Sequence, residues 1–227
     1  MNAAPALVLG FEPYGGRSSN PAEAVARAMD GGTVDGVPVV GRVVPVRRDG
    51  LEDGLARIFS EHRPAIAIGL GLWPGAAVIR IERIAVNIAD FEIADNAGAR
   101  ADARVSPGGA LAIEATLPIR EIRARLLAAG IPAVLSNGAG TFLCNALMYH
   151  ALSLSAGQEP PASCGFLHLP HSAAEVAAMM AEQARTGRPG AGRLSETPSM
   201  GLGTMSDAVA MAISAALAVR AAARGDR

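Results

Sequence analysis

Three residue types in this chain combine into one chemistry: a cysteine at a strand-to-helix turn, a histidine near the end of a strand, and a glutamate inside an apolar strand. The cysteine is Cys144, in the run Ser136 to Asn145, SNGAGTFLCN. The aliphatic run Ile131 to Leu135 predicts a strand before it. Asn137-Gly138-Ala139-Gly140 predicts a tight turn, and Leu143 to Ser155 predicts a helix with Thr141 at its cap. Cys144 then falls in the first turn of a helix, where unpartnered backbone N–H groups and the helix dipole favour a thiolate. A thiolate is a nucleophile for carbonyl carbon. It needs a base to carry its proton, and histidine suits that role near neutrality.

Four histidines compete for the role. His62 lies in a polar loop. His150 shares the helix of Cys144 but, six residues on, points to another side. His168 lies near the carboxyl end of the predicted strand Gly165 to Leu169, where open α/β sheets gather their catalytic groups, and ranks first. His171 follows in the turn and ranks second. Glu82, between Ile81 and Ile84, is the candidate orienting carboxylate, because an unpaired charge in an apolar strand is expensive. The competing readings are a buried core cysteine, a satisfied core histidine, and a half-exposed Glu82 paired with Arg80 or Arg83. A zinc site from Cys164, His168 and His171 lacks a fourth ligand. Gly15-Gly16 and Gly69-Leu70-Gly71 lack the spacing and lysine of a phosphate loop.

The elements that position these residues alternate. Strands are predicted over Ala6 to Phe11, within Val37 to Val46, over Ala65 to Leu72 and within Val78 to Ile88. Helices are predicted over Pro21 to Met29 with Asn20 as N-cap, Leu51 to Ser60, Thr116 to Ala129 capped by Thr116, Ser172 to Ala184 and Ser206 to Ala223. Residues 89 to 109 and 186 to 203 read as loops. Alternating strands and helices predict one α/β domain over residues 1–227, a three-layer α/β/α sandwich with a largely parallel twisted sheet. Of 227 residues, half are hydrophobic and the formal net charge is −1. Without a basic surplus no nucleic-acid partner is expected. The start, Met1-Asn2-Ala3-Ala4, has no signal-peptide pattern, and the apolar stretch Ala208 to Val219 is too short for a bilayer span, so no membrane partner is expected. Two cysteines in a chain of this size predict reduced thiols and a cytoplasmic setting.

Several motifs in order resemble the pyroglutamyl peptidase I family, also called pyrrolidone carboxyl peptidases. They are GFEPYGG (Gly10 to Gly16) with Asn20-Pro21, ERIAVN (Glu82 to Asn87), Asp95-Asn96 with Gly98, SNGAGTFLCN with Met148-Tyr149, GFLHLP (Gly165 to Pro170), and Pro198-Ser199-Met200. The resemblance covers nearly the whole chain. It implies a cysteine peptidase that removes an N-terminal pyroglutamyl residue from peptides, with Cys144, His168 and Glu82 as its triad. It implies a fold similar to nucleoside phosphorylases, often a homotetramer or dimer, without cofactor or metal. It also implies a lactam pocket from Phe11, Tyr14, Phe142 and Leu143, with Asn20 of the signature among the substrate-binding residues. A small aromatic pocket suits a cyclic, uncharged group, and the Cys144 N–H suits an oxyanion.

The chain departs from the family pattern at Ala76 and Glu92, where arginines are usual, at Ala94 for proline, and at Tyr14 for phenylalanine. A Glu92 carboxylate aimed at the site would oppose the oxyanion. That motivates an alternative: a divergent member acting on another small amide or lactam, or a weak, ligand-holding homologue.

Overall fold

The structure, a computed structural model, describes residues 4–187 and 194–225. In chain order its first half comprises β1 (Ala6–Phe11), α1 (Pro21–Met29), β2 (Thr33–Val34), β3 (Val37–Val44), α2 (Leu51–His62), β4 (Ile66–Leu72), β5 (Ile79–Glu82), β6 (Ile84–Val86), β7 (Ala89–Asp90), β8 (Asp102–Ala103) and β9 (Ala112–Glu114). The second half comprises α3 (Ile119–Ala128), β10 (Ala133–Ser136), α4 (Leu143–Ala156), β11 (Ser163–Leu169), β12 (His171–Ser172), α5 (Ala173–Thr186), β13 (Ser199–Met200) and α6 (Leu202–Gly225).

The central sheet has seven strands in the order β10-β5-β11-β4-β1-β3-β2. β1 is parallel to β3 and β4, β4 to β11, and β5 to β10. The pairing of β5 with β11 is antiparallel, as is that of β2 with β3. The continuous apolar runs of β1 and β4 are buried along their whole length, because helices cover both faces, as parallel sheets require.

Side-chain alternation divides the core in two. Ala6 and Val8 of β1, Ile66, Ile68 and Leu70 of β4, and Leu167 and Leu169 of β11 pack with α1, α3 and α6. Leu7, Leu9 and Phe11 of β1, Ala67 of β4, and Cys164 and Phe166 of β11 pack with α2 and α4. This is the expected α/β/α sandwich. The period of two also sorts the chemistry: with Ile79 and Ile81 on the first face, Arg80 and Glu82 turn to the face of α4, as His168 does with Cys164 and Phe166.

The structure moves several expected boundaries. α6 begins at Leu202 rather than at Ser206. By length and composition, residues 202–223 would suffice to cross a membrane. However, Met205, Ala208, Val209, Ala212, Ile213, Ala215 and Ala216 are fully buried against the first core, which makes α6 a core helix. The expected loop over residues 186–203 contains a 3-10 turn at Leu194–Glu196 and the strand β13; residues 188–193 of it, like Met1 to Ala3, lie outside the described residues. Thr116 does not cap α3. Pro118 holds that position, and the Thr116 hydroxyl instead accepts the Cys164 N–H at 2.7 Å.

Candidate active site

Two strands and one helix end deliver the reactive groups. In the antiparallel pair, Phe166 lies opposite Glu82 and His168 opposite Arg80. Glu82 and His168 are therefore diagonal neighbours on one face, close enough for their side chains to meet. They do: His168 Nδ1 lies 2.9 Å from Glu82 Oε1, and both side chains are buried. With Nδ1–H donating to the carboxylate, Nε2 is left as the free nitrogen of a neutral imidazole.

Across the sheet, His168 is level with Gly71 of β4, and Phe166 with Gly69. Both glycines are required for space. A Cβ on Gly71 would stand 2.6 Å from Cys144 Sγ, 3.0 Å from Phe166 Cζ and 3.2 Å from His168 Cδ2. A Cβ on Gly69 would stand 2.4 Å from the Phe166 ring and 2.7 Å from Leu147. The bare backbone at Gly71 is thus the floor on which thiol and imidazole edge converge. The weak phosphate-loop signal at Gly69-Leu70-Gly71 is this floor.

Cys144 is the second residue of α4, half-buried, while Cys164 is fully buried. Thr141 does not cap the helix. Its hydroxyl donates to the Asp90 carbonyl at 2.9 Å, tying the turn to β7. Phe142 takes the N-cap position without a side-chain bond. The leading N–H groups of α4 are therefore left for a ligand rather than spent on a side chain. Asn145 anchors the same turn: its amide donates to the Val86 and Ile88 carbonyls at 2.8 and 2.9 Å and accepts the Val86 N–H at 2.8 Å.

The electrostatics differ from the sequence expectation of a ready thiolate. Burial, and then the Glu82 carboxylate, push the Cys144 thiol up to about 12, against the pull of its own backbone N–H. Burial also lowers His168 below the ordinary 6.5, and Arg80 adds to that; the hydrogen bond and charge of Glu82 oppose it. Low-dielectric surroundings outweigh the helix terminus. Both shifts favour a neutral thiol beside a neutral imidazole over a preformed ion pair.

The expected pocket residues cluster around the cysteine. Tyr14 and Phe142 rings lie 6.2 Å apart, and Phe142 packs edge-on against Phe91 at 4.7 Å. Burial raises the Tyr14 hydroxyl, with the nearby Cys144 as the next contributor. Phe11 and Leu143 are buried in the core beneath. Asn20 uses its amide inward: Oδ1 accepts the Ala22 N–H at 3.0 Å, capping α1, and Nδ2 donates to the Glu12 carbonyl at 3.0 Å. It shapes the loop that presents Tyr14. Asn96 ties that loop to the 89–109 segment, donating to Glu12 Oε1 and the Pro13 carbonyl, each at 2.9 Å.

Other expected participants fall elsewhere. His150 faces Glu52 at 3.8 Å, in a groove of about 340 Å³ that contains neither Cys144 nor His168. His171, ranked second as base, faces Glu175 at 3.7 Å. Glu92 is exposed, and its backbone carbonyl accepts a hydrogen bond from Arg100. Glu82 is among the charges acting on Cys144. Ala76 lies in the turn after Trp73, its N–H bonded to the Trp73 carbonyl at 3.1 Å.

Sequence reasoning missed Phe91, Trp73 and Asn145. Trp73 packs edge-on against His168 at 4.9 Å. The available signals were the only tryptophan of an aromatic-poor chain and an asparagine in the apolar first turns of a helix.

A half-buried cysteine at an uncapped helix start, facing a histidine held by a buried glutamate, on a mostly parallel α/β/α sandwich, defines the thiol-hydrolase class of site. The chain belongs to the pyroglutamyl peptidase family, whose profile matches residues 5–219. It is 45% identical over 166 residues to the pyrrolidone-carboxylate peptidase of Pyrococcus furiosus, covering 73% of this chain and 80% of that one. Identity to the pyrrolidone-carboxylate peptidase of Mycobacterium marinum is 42% over 168 residues, covering 72% and 76%. Among solved structures, the pyrrolidone carboxyl peptidase of Thermococcus litoralis superimposes with a TM-score of 0.87 at 36% identity, covering 99% of this chain and 97% of that one. A mutant form of the P. furiosus pyrrolidone carboxyl peptidase superimposes with 0.85 at 39% identity, covering 94% and 98%.

Proposed function

We propose that this chain is a cysteine exopeptidase that removes N-terminal pyroglutamyl residues from peptides, with Cys144 as nucleophile, His168 as base and Glu82 as orienter. The observation that carries this assignment is the 2.9 Å His168–Glu82 bond set across Gly71 from the thiol. Membership of the pyroglutamyl peptidase family supports the substrate class.

Because a neutral resting pair is favoured, proton transfer accompanies attack. His168 Nε2 takes the thiol proton as Sγ bonds to the pyroglutamyl carbonyl carbon. The carbonyl electrons move to oxygen, where the Cys144 N–H and the uncapped start of α4 supply donors. Glu82 stabilises the imidazolium and keeps its orientation. The tetrahedral intermediate collapses: the C–N bond breaks, His168 returns the proton to the leaving amine, and a thioester remains. Water, deprotonated by the same nitrogen, then cleaves the thioester and releases pyroglutamate. Tyr14, Phe142 and Phe91, over the buried Phe11 and Leu143, suit the flat, uncharged lactam, and a free α-ammonium would be poorly solvated among them. Asn20 acts by fixing the Tyr14 loop rather than through direct contact. The exposed position of Glu92 weakens the argument for a redirected or ligand-holding homologue.

The reading extends to one catalytic domain over residues 1–227, working without metal or cofactor as a homo-oligomer, tetramer or dimer, in the cytoplasm. The two free cysteines suit a reducing compartment. Turnover of a pyroglutamyl amide that is lost in Cys144→Ser and Glu82→Gln is the expected result. Full activity in either variant would overturn the triad.

A further inference from the structure

The Glu82 carboxylate serves two partners, and only one belongs to the triad. Arg80 lies two residues earlier on β5, on the same face and directly opposite His168. Its Nε stands 3.4 Å from Glu82 Oε1, the oxygen that also meets His168. Its terminal nitrogen donates to Ser136 Oγ at 2.8 Å, which secures it to the neighbouring strand β10. Its guanidinium carbon lies 4.2 Å from the centre of the Trp73 ring, and the edge of Trp73 packs on the His168 imidazole at 4.9 Å. Arg80 thus lies over the Trp73 ring, Trp73 meets His168 at a steep angle, and Glu82 closes the three into a loop.

The energetics give this arrangement a purpose. Glu82 is fully buried, while the Arg80 side chain is 28% exposed. A buried carboxylate without a cation near it is costly, and one free to turn away no longer orients an imidazole. Arg80 is the cation beside Glu82. A planar guanidinium can bond an oxygen at its edge while lying on an indole face, which an ammonium cannot do. The ordinary alternative, a surface ion pair of little consequence, does not fit a pair with one member fully buried and bonded to the base.

On the reading that His168 and Glu82 are the base and orienter, we propose that Arg80, locked on Trp73 and Ser136, is a positioning residue for catalysis: it keeps Glu82 aimed at His168 without touching substrate. Among the described residues, the charges acting on His168 are Glu82 and Arg80 of β5, and the Cys144 thiol of α4 converges on the same glycine, Gly71. Removing Arg80 takes away the one cation among them, so His168 holds its proton to higher pH.

The test compares wild type, Arg80→Met and Arg80→Lys by two readouts. One is the titration of the His168 imidazole followed by NMR, assigned with His168→Ala, which needs no turnover. The other is steady-state hydrolysis of a pyroglutamyl coumarylamide. Arg80→Met is expected to move the His168 midpoint and the acidic limb of kcat/KM to higher pH and to lower kcat roughly tenfold, with KM within about twofold. Arg80→Lys should restore the midpoint by its charge but recover only part of kcat, since it cannot stack and bond at once. An unmoved midpoint with unchanged kcat in folded Arg80→Met, or a change in KM alone, would overturn the proposal. A shifted midpoint in Arg80→Met, alongside a wild-type protein that fails to release pyroglutamate, would sink the functional reading and leave Arg80's control of the dyad standing.

Discussion

Gly71→Ala is a one-carbon perturbation aimed at the centre of the site. The added methyl would stand 2.6 Å from Cys144 Sγ, about 0.8 Å short of the 3.4 Å at which ordinary contact begins. It would also press on Phe166 Cζ at 3.0 Å and His168 Cδ2 at 3.2 Å. The nearby side chains are confined: Phe166 and His168 are buried, and Glu82 holds the imidazole. The thiol, half-buried and singly attached, is the group that yields. A displacement of nearly 1 Å at the nucleophile costs roughly 100-fold in rate, and overpacking of this kind costs about 1–3 kcal/mol of stability. Gly54→Ala is the matched control, since Gly54 sits within α2 with open space at its Cβ position. It should leave kcat unchanged and stabilise by about 0.5–1 kcal/mol. The assay is kcat on a pyroglutamyl coumarylamide together with thermal melting of wild type and both variants. A folded Gly71→Ala protein with wild-type kcat would refute the placement of the thiol over this strand.

Three further outcomes follow from the same geometry. His168 is held below its ordinary 6.5 by burial, so the unfolded chain binds more protons than the folded one below that pH. Stability should fall as pH drops through about 6.5, and kcat/KM should hold to a midpoint below it; an acidic limb above 6.5 would contradict the burial argument. The Cys144 thiol is pushed up to about 12, so its alkylation by iodoacetamide, without substrate, should be slow at neutral pH and still climbing above about pH 9, whereas a plateau below about pH 7 would mean a preformed thiolate. Glu92→Arg changes an exposed side chain and should alter kcat less than about twofold in roughly 0.15 M salt, with a large gain signalling that Glu92 reaches the site.

Much of the site was legible because its residues carry chemistry that apolar surroundings make conspicuous. Glu82 between isoleucines, His168 late in a strand and Cys144 after a glycine turn were each conspicuous by residue type and position. The helix caps were less legible. Thr141 and Thr116 have capping chemistry, but tertiary partners, the Asp90 carbonyl and the Cys164 N–H, claimed both hydroxyls. Position at a helix start suggested an activated thiol, yet burial and the Glu82 charge outweigh the dipole, and burial is a property of the assembled fold. Gly69 and Gly71 were visible as glycines but not as a floor, since their neighbours come from β11 and α4. The antiparallel β5–β11 pairing that joins Glu82 to His168 depends on chain reversal between Leu72 and Ile79, which local patterning does not specify. Arg80 and Trp73 required that pairing before their contacts had meaning.

The most direct measurement is the release of pyroglutamate from a pyroglutamyl coumarylamide under reducing conditions by wild type and Cys144→Ala. Steady turnover by the wild type and none by the variant is the expected result. Equal turnover by both, or none by a well-folded wild type, would contradict a cysteine peptidase built on Cys144.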